Sequence, residues 1–272
     1  MKILKIYATL TILTIATLSY SIIKNPWAIL KFENETNHKT EDYGQFVANR
    51  FAIEISKKPK ITTISNDIIN NALHETHIRY PICDKFKYIR LGTELKTFTL
   101  VKGTIKRIEF EKIGETPRCA KVTLEARVYD TVSGLCVNGS DVVANSSQAD
   151  GNSTKESLIK EALEQAAFQA AKEISTSTLA VAYVQNPMRC KAVISLGLAS
   201  GYCKGLKVII RRGRSFVAVG KVDSVNTDQA VISITGGIET GAFTKGLSPQ
   251  DRVRPIINFP KHGQRGNKYK HS

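Results

Sequence analysis

The residues best suited to chemistry in this 272-residue chain are few and scattered. His74-Glu75-Thr76-His77 sets two imidazoles at i and i+3, one helical turn apart, and Cys83 follows six residues after His77. Three such donors could begin a metal site. No convincing fourth ligand accompanies them, so the simpler reading is a pair of helix-end histidines in solvent, and no metal or other cofactor is expected. Lys204, Lys207, Arg211, Arg212 and Arg214 gather about one expected strand and its turn. They could hold phosphates or an acidic polymer. A solvated basic face is the alternative, because no aromatic residues are interleaved among them to stack bases. Specific nucleic-acid binding is therefore not expected. Cys190 and Cys203 bracket what reads as a hairpin, where an oxidising compartment would permit a disulfide.

No Gly-x-Ser-x-Gly elbow, Walker loop, His-Glu-x-x-His pair or Rossmann glycine fingerprint occurs. The expectation is a protein that is not an enzyme, with an unrecognised hydrolase as the remote alternative. The 5 cysteines, at 83, 119, 136, 190 and 203, are odd in number and too widely spread for a zinc ribbon or a disulfide-dense scaffold. Burial must hold the core. With 39 Lys and Arg against 24 Asp and Glu, the net charge of +15 favours anionic partners at low salt. A 42% hydrophobic fraction with 23% charged residues excludes a disordered or collagen-like chain.

The elements that must position these residues follow an unusual start. Lys2 and Lys5 precede an uncharged stretch from Ile6 to Ile23, which reads as an export signal over residues 1–23. Ser19 and Ser21 fit the −3 and −1 positions for cleavage after Ser21, while an uncleaved signal-anchor is the alternative. Six Thr and Ser residues make the stretch marginal as a permanent span, which wants about 20 mostly apolar residues. No Cys lies near that junction, so a lipoprotein route is not expected. The sequons at Asn34, Asn138, Asn145 and Asn152 matter only in a glycosylating pathway.

Trp27 to Phe32 reads as a buried first strand running into the polar loop Glu33-Asn34-Glu35-Thr36-Asn37. Val47, Phe51 and Ile55 recur at helical spacing beside Phe46, and Lys57-Lys58-Pro59 stops that helix. Ile61 to Ile64 is strand-length, and Ser65 reads as the N-cap of a helix carrying Ile68, Ile69 and Leu73. From Thr97 the pattern turns β-rich. Lys121 to Asp130 alternates, with Val122, Leu124, Ala126 and Val128 on a dry face and Lys121, Thr123, Glu125, Arg127 and Tyr129 on a wet one. The turn Asp130-Thr131-Val132-Ser133-Gly134 should join it to Leu135–Ala144 as an antiparallel hairpin. Cys136 then lies beside Tyr129 and far from Cys119, so those two thiols should not pair.

Ser153-Thr154-Lys155-Glu156 reads as a capping box in which Ser153 and Glu156 reciprocate. The helix it opens has an apolar face rich in small residues, among them Ala162, Ala166 and Ala170. That face suits close packing on a sheet, or on another subunit's helix. Val184-Gln185-Asn186-Pro187 reads as a domain boundary. Beyond it, Lys191–Leu196, Leu206–Arg211, Ser215–Val219, Gly220–Val225 and Gln229–Ile234 are short strands of the kind that build a small barrel. A basic tail over residues 258–272 should be disordered.

Several of these segments, taken in order, resemble the curli assembly/transport component (CsgG-like) family, related in fold to the N-terminal domain of the periplasmic protein TolB. They are Ala28–Thr36, Val101-Lys102-Gly103-Thr104-Ile105, the Val128–Gly134 turn and the Leu158–Ile174 helix. Gly201-Tyr202-Cys203-Lys204-Gly205-Leu206, Val219-Gly220-Lys221-Val222 and Asp251-Arg252-Val253 resemble the small β domain of flagellar H-ring assembly proteins. The resemblance implies an α/β fold with a mixed sheet and packed helices over 26–180, then a small all-β barrel-like domain over 188–257. It also implies an exported protein of the periplasm or cell envelope, with a membrane tether if the N-terminal segment stays uncleaved. Pore-forming curli components are lipid-anchored and carry membrane-spanning hairpins, whereas no spare pair of alternating segments is evident here. The expected role is thus an exported scaffold, assembly or secretion-apparatus subunit that contacts envelope proteins and forms homo-oligomers. The alternative is an anion-binding module that uses the basic C-terminal half on anionic membrane or cell-wall polymer.

Overall fold

The computed structural model describes residues 25–39, 41–58, 61–113, 116–148, 153–237 and 246–257. The expected signal, the Ser19/Ser21 pair, the Asn152 sequon and the basic tail lie outside them. The architecture is α/β: a mixed sheet with packed helices, followed by a closed antiparallel six-strand barrel.

In the sheet, β1 (Asn25–Ile29) runs parallel between β3 (Ile61–Thr63) and β4 (Thr99–Ile113). β4, β5 (Thr116–Asp130) and β6 (Cys136–Asn145) then continue as an antiparallel meander. The Glu33-Asn34 pair, expected as loop, forms the two-residue strand β2 beside Thr104 and Ile105 of β4. β1 is buried on both faces. Trp27 and Ile29 enter one apolar cluster, while Ala28 and Leu30 enter another. This explains why Trp27 to Phe32 is continuously apolar instead of alternating.

The first cluster lies beneath α1 (Tyr43–Ser56) and the long α4 (Lys155–Ser177). Ala162, Ala166 and Ala170 are wholly buried there, with Val122, Leu124, Ala126 and Val128 of β5 in the same cluster. Small side chains let the helix axis approach the sheet closely. Gly103 does similar work on β4, since a Cβ there would stand 2.0 Å from the Phe32 ring. The second cluster lies beneath α2 (Asn66–Glu75) and α3 (Lys85–Glu94). α3 has no counterpart among the elements expected from sequence. Its period is carried only by Tyr88 and Leu91, with Asp84 capping the Phe86 N–H.

The wet face of β5 is half-buried and self-neutralised. Lys106 lies 3.0 Å from Glu35 and 3.8 Å from Glu125, and Arg127 bridges Glu125 at 3.5 Å and also Asp141. Tyr129 stacks on Tyr88 at 4.3 Å between ring centroids. Cys136 is indeed the partner of Tyr129 across the hairpin. The capping box of α4 sits one residue later than expected. Thr154 accepts from the Ser157 N–H at 3.1 Å, and Ser157 Oγ accepts from the Thr154 N–H at 3.0 Å. A serine hydroxyl at N3 is close enough to reciprocate, so Glu156 is not required.

The barrel closes in the order β10-β11-β8-β7-β12-β9. Its strands are β7 (Ala182–Pro187), β8 (Lys191–Ile194), β9 (Lys207–Arg212), β10 (Ser215–Val225), β11 (Ala230–Gly237) and β12 (Arg252–Ile256). The Val184–Pro187 stretch read as a boundary is thus built into the barrel as β7, where polar residues face outward. Ser215–Val219 and Gly220–Val225 are one strand with a register shift between Val219 and Gly220. β9 divides its faces. Val208 and Ile210 fill the barrel, whereas Ile209 joins the core of the α/β layer. No helix among the described residues is long and apolar enough to cross a membrane.

Candidate functional site

His74 and His77 are both exposed at the end of α2, and Cys83 is exposed beyond it. No group of three or more His, Cys, Asp or Glu side chains that could hold a metal ion exists among the described residues. Cys190 and Cys203 are free, exposed thiols. They do not bracket a hairpin, because β8 pairs with β7 and β11 while β9 pairs with β10 and β12. The strands adjacent in sequence are separated in the barrel.

The basic cluster is split by its surroundings. Lys204 and Lys207 are exposed, as a solvated face requires. Arg211, on the alternate face of β9 from Val208 and Ile210, is only 2% exposed and turns towards the α/β layer. There β5 ends in Asp130, which is fully buried. One carboxylate oxygen, Oδ1, accepts the N–H groups of Val132 at 3.1 Å and Ser133 at 3.0 Å, forming the hairpin turn. The other, Oδ2, accepts Arg211 Nη1 at 2.8 Å and Arg254 Nη1 at 3.1 Å. Arg254, two residues along β12 from Arg252, also donates to the Phe98 carbonyl at 2.8 Å. Asp130 therefore shapes its own turn and fastens two barrel strands to the sheet.

Burial by itself would raise the Asp130 carboxyl, but the charges of Arg254 and Arg211 and the Ser133 N–H outweigh it and hold the group below its ordinary value. Burial pushes the Arg211 guanidinium down to about 10 against the pull of Asp130, with Arg254, Arg252 and Arg214 pushing the same way. It stays charged at neutral pH. Arg212 is taken by Asp251 in a two-pronged pair, Nε–Oδ1 at 2.7 Å and Nη2–Oδ2 at 2.9 Å. Arg214 and Arg252 lie by the Phe98 ring, 5.2 and 5.6 Å from its centroid, with Arg211 at 4.3 Å. The five-residue basic patch thus resolves into two free lysines, two neutralised arginines and one arginine at an aromatic ring.

Sequence reasoning missed Phe98, Arg252 and Arg254. The last two were legible in principle, since Arg252-Val253-Arg254 alternates as a strand with one wet and one dry face. Phe98 lies more than a hundred residues away from them and carries no local signal.

Two further concavities among the described residues bear on function. A cleft of about 820 Å³ opens where the parallel strand β1 gives way to α1, lined by Lys31, Glu33, Glu35, Asp42 and Tyr80 among others. Its charges pair among themselves and with their neighbours: Lys31 with Asp42 at 2.6 Å, Glu33 with Lys102 and Glu35 with Lys106, both at 3.0 Å. A smaller cleft of about 360 Å³ lies on the outer ridge of α1 and α4, between Ile53, Arg50, Glu164 and Phe168. Ile53 is 56% and Phe168 43% exposed. Arg50 and Glu164 meet across it at 3.3 Å.

No protein-family model and no curated protein matches this chain. Among solved structures, it is similar to the hypothetical protein CT253 from Chlamydia trachomatis, at 13% identity and a TM-score of 0.38 over 56% of this chain and 94% of that one. Lipoprotein GNA1162 from Neisseria meningitidis is 11% identical at a TM-score of 0.38, over 49% of this chain and 89% of that one. The C-terminal domain of LpoB from Escherichia coli is 11% identical at a TM-score of 0.33, over 44% and 82% respectively. None of the three is a curli component or TolB, and likenesses this loose say nothing of what the chain does.

Proposed function

We propose that this chain is an exported, non-enzymatic envelope protein that works as an assembly or scaffold subunit, associating with further copies of itself and with other envelope proteins. The observation that carries the reading is the outer ridge of α1 and α4. Ile53 and Phe168 stand exposed on adjoining helices around a small cleft, rimmed by charges of both signs: Arg50, Lys57, Glu54 and Glu164. Exposed apolar side chains ringed by polar ones are characteristic of protein-contact sites. The rim charges are paired within the chain, Arg50 with Glu164 and Lys57 with Glu54, so a second copy turned about a two-fold axis can seat its ridge on this one without stranding a charge. The basic start and the Ser19/Ser21 pair support export, and the segments that resemble curli assembly components point the same way.

Sedimentation of the protein purified from the envelope fraction tests this. The parent should run as an oligomer that persists in about 0.5 M salt, where screening falls to roughly 4 Å and surface charge pairs lose their hold. An I53S/F168S double variant should keep its circular dichroism and run as a smaller species. A parent that is monomeric at every concentration, or an oligomer indifferent to both substitutions, would reject the proposed ridge contact.

A further inference from the structure

We propose that the cleft walled by Phe98, Arg214 and Arg252, between the barrel and the α/β layer, binds a phosphate oxyanion. This goes beyond the scaffold reading and does not rest on it. Five guanidiniums converge around this cleft, those of Arg211, Arg212, Arg214, Arg252 and Arg254, and two carboxylates answer them there, Asp130 and Asp251. Both carboxylates are fully committed. Asp130 holds Arg211 and Arg254 together with its own turn. Asp251 takes the fork of Arg212 and the Ser248 N–H at 2.8 Å.

Arg214 and Arg252 are left over. Besides the Phe98 ring, the hydrogen-bond partners of Arg214 among the described residues are the Thr97 carbonyl at 3.4 Å and Thr93 Oγ1 at 3.3 Å, long contacts for a charged donor. Arg252 has the ring of Phe98 as its sole partner among the described residues. Both line a cleft of about 450 Å³, together with Gly213, Ser248 and Gln250. Two planar forks without a carboxylate partner, both near one ring and both lining the cleft, suit an anion with several acceptor oxygens arranged in three dimensions. A tetrahedral phosphate meets that demand. Both charges push on the buried Arg211 guanidinium, and an anion in the cleft offsets that repulsion. The chemistry does not extend into a track for a long polymer, because Arg211 and Arg212, which would continue it, are occupied within the fold.

The oxyanion could be free phosphate or a phospholipid headgroup, and two measurements on the full chain separate them. Inorganic phosphate, compared with chloride at equal ionic strength, should raise the melting temperature of the parent saturably. An R214M/R252M double variant should lose that response, with affinity falling about tenfold or more. Because the substitutions remove a repulsion, the variant should melt no lower than the parent without phosphate. K204M, which removes an exposed charge outside the cleft, should leave the response intact. R252K, which keeps the charge and loses the fork, should fall between. If phosphate gives no response but phosphatidylglycerol vesicles sediment the parent and not the double variant, the site stands with a lipid headgroup as its ligand. Equal effects of phosphate and chloride, with equal vesicle binding by parent and double variant, would overturn the proposal.

Discussion

The Oδ2 atom of Asp130 accepts a hydrogen bond from Nη1 of Arg211 at 2.8 Å, across 81 residues of sequence and with both side chains buried. The link joins a residue that turns the β5/β6 hairpin to a residue on the outward face of a barrel strand. Buried pairs of this kind contribute little net stability by themselves, because desolvating two charges is unfavourable, but removing one partner strands the other. What the pair supplies is orientation: it holds the barrel against the sheet at one point, and the Phe98 cleft lies beside that point.

Asp130→Asn should therefore be strongly destabilising. The amide keeps an oxygen for the Val132 and Ser133 N–H groups but leaves Arg211 and Arg254 facing a neutral partner. A loss of about 3–5 kcal/mol is expected by urea denaturation. Adding Arg211→Met to Asp130→Asn should recover part of it, since the stranded buried charge is then gone. A single Asp130→Asn variant with the parent's urea midpoint would show that the link contributes nothing to stability.

The same carboxylate sets an acid dependence. Its folded pKa lies below the unfolded value, so its contribution is complete above the unfolded pKa of about 3.9 and is lost as pH falls through the lower folded value. The difference in urea midpoint between parent and Asp130→Asn should be constant from about pH 7 to pH 5 and narrow below about pH 4. A difference that widened in acid would contradict the assigned direction.

Ala166 is wholly buried on the sheet-facing side of α4. Ala166→Asp places an unpaired carboxylate there and should cost about 3 kcal/mol or more, unfolding the α/β layer as read by circular dichroism. A variant that stays folded but dissociates would move this face to a subunit interface, against the packing described above.

Export is testable without any structure. Cleavage after Ser21 gives a mature chain beginning at Ile22, and N-terminal sequencing of the envelope-fraction protein should read Ile22-Ile23-Lys24. An intact Met1 on a soluble cytoplasmic protein would refute it.

Much of the fold was legible because its signals are local. The face of α4 follows from alanines and leucines at helical spacing. The β5/β6 hairpin follows from the alternation of Lys121–Asp130 and the Asp-Thr-Val-Ser-Gly turn after it, which suffice to place Cys136 beside Tyr129. The elements that were missed have weak local signals. α3 has ten residues and few apolar ones, and β7 and β12 are edge-like in composition yet become barrel strands once their neighbours close around them.

The basic residues mark the limit most sharply. Sequence alone determined that Lys204, Lys207, Arg211, Arg212 and Arg214 lie near one another, since five charges within eleven positions of a strand and turn cannot be far apart. It could not say which would be free. Strand alternation turned Arg211 inward, and its partner Asp130 arrives from a different layer. Asp251 claims Arg212 from 39 residues away, while Phe98 meets Arg214 and Arg252 from across the junction. Charge is a property of a residue and is read directly from the chain. Whether that charge is paired or available depends on neighbours brought close by burial of apolar surface elsewhere, and only the tertiary structure decided it.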